Sequence, residues 1–493
     1  MSSEAKAPAV LFNVLITLMY ASLAYLAIGV NYTFLPAFGF HDAQRVCLIS
    51  LQIAAIFSAA YVLAGNQRAA AYSRSKQNEA LILILLLCLG ISSITSSCTH
   101  FGLVEIFNFA ALAVLSFSFR NTVILKSSSN TIRIVIITFT LALVLYVFIF
   151  TVSYFSALMT SLSMDVDVFF HGFSNRRFFN QIQVWMLPLL TLPLLFKLAG
   201  VKGLSRYSPG FSALLCINIV LLIFSSARGA SLALLSSLPI ILTLIKPIAG
   251  RLMLSVAMLA IAAFAAYWVL FIVIPPYFGF TITDMLNIRT DSSGRVDLWR
   301  TCLDMIKQSP FFGAGPMAFA AIPNAISVSH PHNSLLQLAA EWGLIATAIV
   351  VFFYSKGLLA FWRLCRNQSV PTERRMYRVA LLWSFLAASI YSLLCGVIVM
   401  PMSQLLGALI IGLMLAEYRA GQIAIGANTL ALPVAARRAM AISLLLFGGL
   451  YLWLLWPQIE QRLSATPDYM YSLSNQGPRF WQDGGVPLNG GNR

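Results

Sequence analysis

Two of the five histidines of this sequence fall in one short polar stretch, Ser329-His330-Pro331-His332-Asn333, which separates two apolar regions. Histidine is the side chain best suited to accept a proton from a hydroxyl near neutral pH. His332 is therefore a candidate general base. An isolated histidine beside an apolar run is more often structural, so this hypothesis depends on the residues that accompany it.

Four arginines lie in other polar segments that could meet near His332. Arg228 occupies a turn of a few residues between two apolar runs, and Arg295 begins a helical pattern. Arg176 and Arg177 precede two phenylalanines. A guanidinium group is permanently charged and binds phosphate oxygens through a bidentate fork, so the four arginines predict a ligand such as a lipid diphosphate. Taken singly, each has another interpretation, as an arginine that reaches lipid headgroups or as one charge on a surface helix.

The acidic residues give two weaker candidates. If a helix runs on from Asn333, Gln337 and Glu341 share one face at i and i+4, which makes Glu341 a candidate to support a polar site one turn deeper. The tripeptide Asp165-Val166-Asp167 matches the carboxylate pattern with which some sugar transferases hold a metal. The pattern is short and common, and a solvated loop edge is the simpler interpretation.

The elements that position these residues must be membrane helices. Hydrophobic residues make up 59% of the chain, charged residues only 10%, and the mean hydropathy is +0.83. A soluble protein has a charged fraction of roughly a quarter, so the composition predicts an all-α polytopic membrane protein. The seven cysteines contain no CxxC pair, and we predict neither a disulfide framework nor a zinc site.

Apolar runs long enough to cross a bilayer predict about twelve or thirteen spans. They lie near 9–30, 44–65, 80–97, 103–119, 134–155, 182–196, 210–226, 231–245, 252–274, 344–362, 379–399, 402–418 and 439–456. With the N-terminus inside, the basic clusters all fall on the cytoplasmic side, so the net charge of +16 reflects membrane topology and we predict no nucleic-acid partner. Whether 439–456 crosses the membrane is left open.

The opposite side receives the segments that carry the candidate residues, including a long loop at about 275–333. Val296 to Lys307 has the apolar spacing of an amphipathic surface helix. We predict one transmembrane domain over 1–456 and a polar, disordered tail over 457–493. The sequence has no Walker A or dinucleotide motif, which argues against an ATP-driven pump. A lipid-glycan transporter remains an alternative, although transport predicts charges within the spans and here they lie at span ends.

Several of these segments resemble the O-antigen ligase and O-antigen polymerase superfamily of bacterial inner-membrane proteins. The matching pieces are Ser-Ala-Arg-Gly at 226–229, Ser-Gly-Arg-Val-Asp-Leu-Trp at 293–299, Gly-Ala-Gly-Pro at 313–316, and His332-Asn333 followed by nine residues and Gly343. The last piece resembles the signature H-N-x9-G-x-x-G but has Ala346 in place of the final glycine. The resemblance extends over about 130–420.

The resemblance implies a glycosyltransferase that uses a glycan on undecaprenyl diphosphate at the periplasmic face of the inner membrane, without nucleotide sugar, metal or other cofactor. It implies that Arg228 and Arg295 hold the diphosphate and that His332 activates the acceptor. Supporting substrate-binding roles are predicted for Arg176, Arg177, Arg300, Asn333 and Glu341. Ligation to lipid A core is the preferred activity, with transfer to a protein acceptor or O-antigen polymerisation as alternatives.

Overall fold

The computed structural model describes residues 39–65, 76–96, 98–125, 128–160, 164–279, 282–283, 294–322, 328–424, 432–464 and 479–481. Within these ranges, ten helical segments are long and apolar enough to cross a membrane. The chain is an all-α multi-pass membrane protein, which confirms the predicted fold class. The predicted span 9–30 lies outside the described residues.

The first nine helices are α1 (Phe40–Gly65), α2 (Lys76–Ile94), α3 (Thr99–Leu125), α4 (Ser128–Thr160), α5 (Arg176–Leu190), α6 (Leu192–Leu198), α7 (Ser208–Phe224), α8 (Arg228–Leu244) and α9 (Lys246–Tyr267). Those that follow are α10 (Ile274–Tyr277), α11 (Arg295–Gln308), α12 (Ala318–Ala321), α13 (Ser334–Arg366), α14 (Thr372–Tyr391), α15 (Pro401–Ala424) and α16 (Val434–Ser464). Short 3-10 turns at Val166–Phe169 and Leu204–Tyr207 precede α5 and α7, and a π-helical segment, Trp268–Val273, joins α9 to α10.

The predicted spans from residue 44 onward all fall on these helices, although the one at 182–196 covers both α5 and α6 and the one at 252–274 runs from α9 through the π-helical segment into α10. The span predicted at 231–245 is α8, which has only 17 residues, and the one at 379–399 overlaps α14. The N-terminal turns of α14 carry several charged residues, so this helix is less apolar than the ten candidate spans.

The helices differ in how much of their surface lies inside the protein. In the most apolar 18-residue stretch of each span, 89% of the residues are buried in α5–α6 and 83% in α15. In the α9–α10 span, only 17% are buried. In the described chain, α15 packs on α3, α14 packs on α5 and α8, and α1 packs on α16. The α5, α14 and α15 helices therefore form the interior, and α9 faces lipid.

Hydrogen bonds between polar side chains link the interior helices. Ser384 in α14 donates to the carbonyl of Trp185 in α5 at 2.6 Å, and the Trp185 indole donates to Ser403 in α15 at 2.9 Å. The Trp383 indole donates to Ser237 in α8 at 3.0 Å. Without water to satisfy them, such groups must find partners inside the protein, which fixes the helices relative to one another.

Two loops meet through a minimal parallel pair of strands. β1 (Met164–Asp165) pairs with β2 (Ile282–Thr283) in the register Met164 with Ile282 and Asp165 with Thr283. The amphipathic helix predicted at Val296–Lys307 is α11, which is one residue longer at each end. These contacts bring the segment before α5 and the long loop to the same face of the protein.

The C-terminal region is more ordered, where the structure describes it, than the disordered tail predicted from 457 onward. α16 continues through Pro457 to Ser464. Arg479, Phe480 and Trp481 are only 1%, 5% and 3% exposed. Apolar periodicity does not detect such a segment, because the segment is held by specific polar contacts.

Candidate functional site

His332 lies in a short connection, residues 328–333, that we call the histidine loop. α11 holds this loop because the Trp299 indole donates to the carbonyl of Pro331 at 3.1 Å. At the C-terminal end of the loop, Ser334 donates its backbone N–H to the carbonyl of Ser392 at 2.9 Å. The loop is therefore fixed between α11 and the end of α14.

Asn333 ends the histidine loop and begins α13. Its side-chain oxygen accepts hydrogen bonds from the backbone N–H groups of Leu335 and Leu336, both at 3.1 Å. This is the geometry of a helix N-cap, which satisfies backbone donors that the first turn leaves unpaired. The position predicted for substrate binding thus has a structural task in setting the start of α13.

The backbone at His332 adopts the left-handed conformation, with φ at 55°. Ser226, two residues before Arg228, also has a positive φ, 53°. Such conformations are unfavourable for residues other than glycine and tend to occur at functional sites. Both strained positions adjoin predicted site residues.

The structure places two of the predicted arginines, Arg177 and Arg228, within electrostatic range of a third, Arg295. Burial lowers the pKa of Arg295, and the positive charges of Arg177 and, more weakly, Arg228 lower it further. We call Arg177, Arg228 and Arg295 the arginine cluster. Like charges repel, so the approach of Arg177 and Arg228 to Arg295 favours the binding of an anion among them.

Exposure differs among these arginines. Arg228 is exposed at the start of α8, whereas Arg177 and Arg295 are half-buried at the starts of α5 and α11. In the part of the chain that the structure describes, the buried Arg295 Nε has no hydrogen-bond partner. A buried guanidinium N–H without a partner is costly, and a phosphate oxygen would satisfy it.

His332 lies beside this cluster and is neutral at pH 7. Burial is the main reason that its pKa falls to about 3, and the charges of Arg295 and Arg177 add to the shift. Burial also lowers the pKa of His330, whose ring lies 4.4 Å from that of His332 between centroids. Among the described residues, His332 Nδ1 has no hydrogen-bond partner. A neutral imidazole with an unpaired nitrogen is able to accept a proton.

Sequence reasoning missed Tyr391, which lies beside the arginine cluster at the end of α14. It is 4% exposed, and its ring lies against Gly229, where an added Cβ would be 3.1 Å from Tyr391 Cε2. Cys395 hydrogen-bonds to Tyr391 and also accepts from the Gln181 amide at 3.4 Å. A tyrosine within an apolar span gives no signal in the sequence, and only the contact with the Arg-Gly turn identifies it.

Gly343 interrupts α13 two turns after the histidine loop. Its φ and ψ are 83° and 167°, far from helical values. The break frees two groups that bind the preceding loop: Leu344 donates to the Pro310 carbonyl at 2.8 Å, and the Ala340 carbonyl accepts from Ala314 at 2.9 Å. The glycine of the family-like signature therefore joins the 310–315 segment to α13.

The other predicted residues lie apart from the cluster or pair elsewhere. Arg300 forms an exposed ion pair with Asp297 at 3.1 Å. Arg176 donates its backbone N–H to Asp167 at 2.8 Å, and its side chain is 3.9 Å from the same carboxylate. Asp165 accepts from the backbone N–H of Asp167 at 2.7 Å, so both aspartates serve the turn before α5.

Glu341 points away from the arginine cluster and binds Arg479. It is 1% exposed, and one of its oxygens accepts from Arg479 Nη1 at 2.7 Å and from the backbone N–H of Phe319 at 2.9 Å. Arg479 also pairs with Glu105. Arg479 lies in the region predicted to be a polar tail and is not among the predicted site residues.

Comparison with known proteins is consistent with this arrangement. Residues 211–351 match the family model described as O-antigen ligase. The match covers less than a third of the chain and shows similarity to this family over that stretch. This match confirms the resemblance to the O-antigen ligase and polymerase superfamily and spans Arg228, Arg295, His332 and Gly343. No curated protein and no solved structure matches the chain.

The match over residues 211–351 supports a glycosyltransferase-like membrane enzyme with, in general terms, a lipid-linked glycan and an acceptor as its partners. The matched stretch begins within α7 and ends within α13. Arg177, Tyr391 and Arg479 lie outside it, so the site described above combines the matched stretch with flanking helices.

Proposed function

We propose that this protein transfers a glycan from undecaprenyl diphosphate to an acceptor hydroxyl at the periplasmic face of the bacterial inner membrane. The observation that carries the proposal is the proximity of Arg295 and Arg177 to one neutral histidine, His332, whose Nδ1 has no hydrogen-bond partner in the described chain; Arg228 lies within electrostatic range of Arg295. The arginine cluster binds the diphosphate of the donor, and His332 takes the proton from the hydroxyl group of the acceptor. The preferred reaction is ligation of O-antigen to lipid A core.

The chemistry follows from the charges of these groups. The acceptor oxygen attacks the anomeric carbon, the bond from that carbon to the phosphate oxygen breaks, and the bonding electrons leave with the diphosphate. Guanidinium groups held in a poorly hydrated site stabilise the negative charge that develops on the leaving group. The hydroxyl proton passes to His332, whose neighbours in the described chain leave Nδ1 available.

Donor binding also adjusts the basicity of His332. The charges of Arg295 and Arg177 contribute to its lowered pKa. A diphosphate bound between them neutralises part of this charge, so the pKa of His332 rises towards its ordinary value when the donor is present. The base therefore becomes stronger only in the complex that needs it.

The direction of the helices supports the assigned orientation. α8, α13 and α14 each have one end at the candidate site, near Arg228, Asn333 and Tyr391. At the opposite ends lie basic residues, including Lys246 and Arg366. Cytoplasmic ends carry the excess of lysine and arginine, which supports a periplasmic position for the candidate site.

Turnover by purified protein in lipid nanodiscs tests the mechanism. With a lipid-diphosphate glycan and an acceptor, release of undecaprenyl diphosphate should fall at least 100-fold in Arg228→Ala and Arg295→Ala, because each removes a cation from the leaving-group site. Lys307→Ala is the matched control, since Lys307 is an exposed cation on α11 that pairs with Asp304. Turnover in either arginine variant equal to that of the control would remove the proposed site.

Gene deletion distinguishes the acceptors. Loss of long-chain lipopolysaccharide with accumulation of the lipid-linked glycan supports ligation to lipid A core. A change confined to the chain-length distribution would instead indicate a polymerase, and loss of a glycosylated protein would indicate a protein O-oligosaccharyltransferase.

A further inference from the structure

Three C-terminal residues, Arg479, Phe480 and Trp481, bind inside the protein next to the histidine loop. We call Arg479–Trp481 the tail segment. Its residues are distant in sequence from their partners, which lie in α1, α3, α13 and α16. All three are buried, although they belong to a polar region without apolar periodicity.

The guanidinium of Arg479 is fully hydrogen-bonded. Nε and Nη2 donate to Glu105 at 3.2 and 2.9 Å, and Nη1 and Nη2 donate to Glu341 at 2.7 and 2.5 Å. Nη1 also donates to the carbonyl of Ser329 at 3.3 Å. A guanidinium offers five N–H donors, and this arrangement uses the whole fork.

The negative charges of Glu105 and Glu341 complement the positive charge of Arg479. Burial opposes the ionised form, but Glu105 and Glu341 together raise the pKa of Arg479 above its ordinary value. Without Arg479, two carboxylates would lie in one buried space with no cation directly between them. A buried charge that loses its partner is strongly destabilising, so the site specifically favours an arginine.

The backbone of the tail segment is held from a different helix. Arg45 in α1 donates to the carbonyl of Phe480 at 2.7 Å and to that of Arg479 at 3.1 Å. Its guanidinium lies 4.6 Å from the Phe480 ring centroid and also contacts Gln404. Arg45 is 1% exposed, so this is a built interior site for a peptide backbone.

Trp481 completes the attachment. Its indole donates to Gln458 in α16 at 2.6 Å, and Arg462 stacks over its ring at 4.4 Å. Arg462 in turn pairs with Asp42 at 3.1 Å. Backbone, charge and aromatic contacts therefore all converge on the same three residues.

The tail segment touches the histidine loop itself and α13, the helix that begins directly after the loop. Through Ser329 it binds the histidine loop, and through Glu341 it binds α13 two residues before the break at Gly343. The same Glu341 carbonyl accepts from Gly315 at 2.9 Å and from Ser92 at 2.9 Å. Loss of Arg479 would therefore remove one contact within the loop, at Ser329, and one in the helix that follows the loop, at Glu341.

We propose that the tail segment is an internal peptide ligand of this buried site and that Arg479 is a positioning residue, which holds the histidine loop in its working conformation. The effect of Arg479 on transfer rests on the proposed function. The docking of the segment and the order it gives to the loop do not, and the experiments below measure those two properties directly.

The first experiment cleaves the chain at an inserted site that leaves every described residue unchanged. A protease site is inserted between residues 465 and 478, the purified protein is cleaved, and size-exclusion chromatography in detergent shows whether the C-terminal fragment stays with the remainder. We expect the fragment to remain bound, and to be released at least 10-fold faster in Arg479→Gln. Arg438→Gln, which removes an exposed cation from α16, should retain it. Immediate release from the unsubstituted protein would overturn the proposal.

The second experiment reports on the histidine loop. In a Ser329→Cys background, alkylation of the introduced thiol is followed by mass spectrometry of the peptide containing position 329. Ser329 is 2% exposed, so alkylation of the introduced thiol should be slow when Arg479 is present. It should be at least 10-fold faster when Arg479→Gln is added. The rate should be intermediate with Arg479→Lys, which keeps the positive charge but not the bidentate fork. Equal rates in all three proteins would refute the positioning role. Because neither assay needs transfer activity, a failure of the proposed function cannot be mistaken for a failure of this inference.

Discussion

Replacement of Gly343 by alanine should destabilise the protein more than any other single methyl addition to α13. The backbone there has φ 83° and ψ 167°, a region that only glycine adopts without strain. An added Cβ would stand 2.2 Å from the Phe311 carbonyl oxygen and 2.6 Å from the Gly313 nitrogen. Both atoms belong to the backbone and cannot rotate away.

The size of the effect follows from these contacts. Backbone strain of this type costs on the order of 1–3 kcal/mol. Relief of the clash requires separation of α13 from the 310–315 segment, which breaks the hydrogen bonds of Leu344 to Pro310 and of Ala314 to Ala340, at about 1 kcal/mol each. We therefore expect Gly343→Ala to lower the free energy of unfolding by about 3–5 kcal/mol.

Unfolding in detergent, followed by tryptophan fluorescence against denaturant, measures this loss. Gly357→Ala is the matched control because Gly357 lies in the same helix and an added Cβ there would meet no atom within 4 Å. The control should be neutral or more stable by about 0.5–1 kcal/mol, since alanine favours helix. If the Gly343 and Gly357 variants were equally stable, the interpretation of the break would be refuted.

Three further predictions concern the histidine loop and the neighbouring aspartates. Asn333→Ala should destabilise the protein by about 1 kcal/mol through loss of the N-cap, and Asn333→Asp, which keeps a capping oxygen, should restore most of it; denaturant midpoints equal to wild type would contradict this. The pKa of His332 is lowered from 6.5 to about 3 in the folded protein, so between these pH values the unfolded chain binds more protons than the folded one. The free energy of unfolding should therefore rise with pH up to about 6.5, and the rise should be smaller in His332→Asn. A chelator should leave turnover unchanged, since Asp165 and Asp167 bind backbone N–H groups, and a chelator-sensitive enzyme would return them to consideration.

Hydropathy was sufficient to predict the fold class and most helices, because apolar length is nearly the only requirement for a span. It located α8 and α14 as well, although one is short and the other has a charged first half. The amphipathic helix was also predictable, since Leu298, Cys302 and Met305 form its buried face at helical spacing. Local periodicity captures such elements because each depends on its own sequence.

The candidate site was predictable only in part. Chemical type indicated His332 and the arginines, and the structure places Arg177 and Arg228 within electrostatic range of Arg295. Glu341 was assigned to the same site from its spacing, but spacing along a helix does not reveal which way the partner lies. Its partner is Arg479, whose position depends on contacts more than a hundred residues away in sequence.

Gly343 and Ala346 also show that a sequence motif does not reveal the backbone conformation of its residues. Ala346, where the family-like signature has glycine, is fully buried and packs in a cluster with Cys88, Leu89 and Trp342. The strained backbone lies at Gly343 instead, and Thr347 donates to the Gly343 carbonyl at 2.8 Å. A sequence motif marks such positions without stating which of them requires a positive φ.

Single-turnover glycan transfer by the His332→Asn variant tests the central claim most directly. Asparagine tolerates the left-handed backbone at this position better than alanine, so the substitution removes the base with little change in strain. We predict that transfer falls at least 100-fold while binding of the lipid-diphosphate donor stays within a few-fold of wild type. Transfer by His332→Asn at a rate within a few-fold of wild type would contradict the role of His332 as the general base.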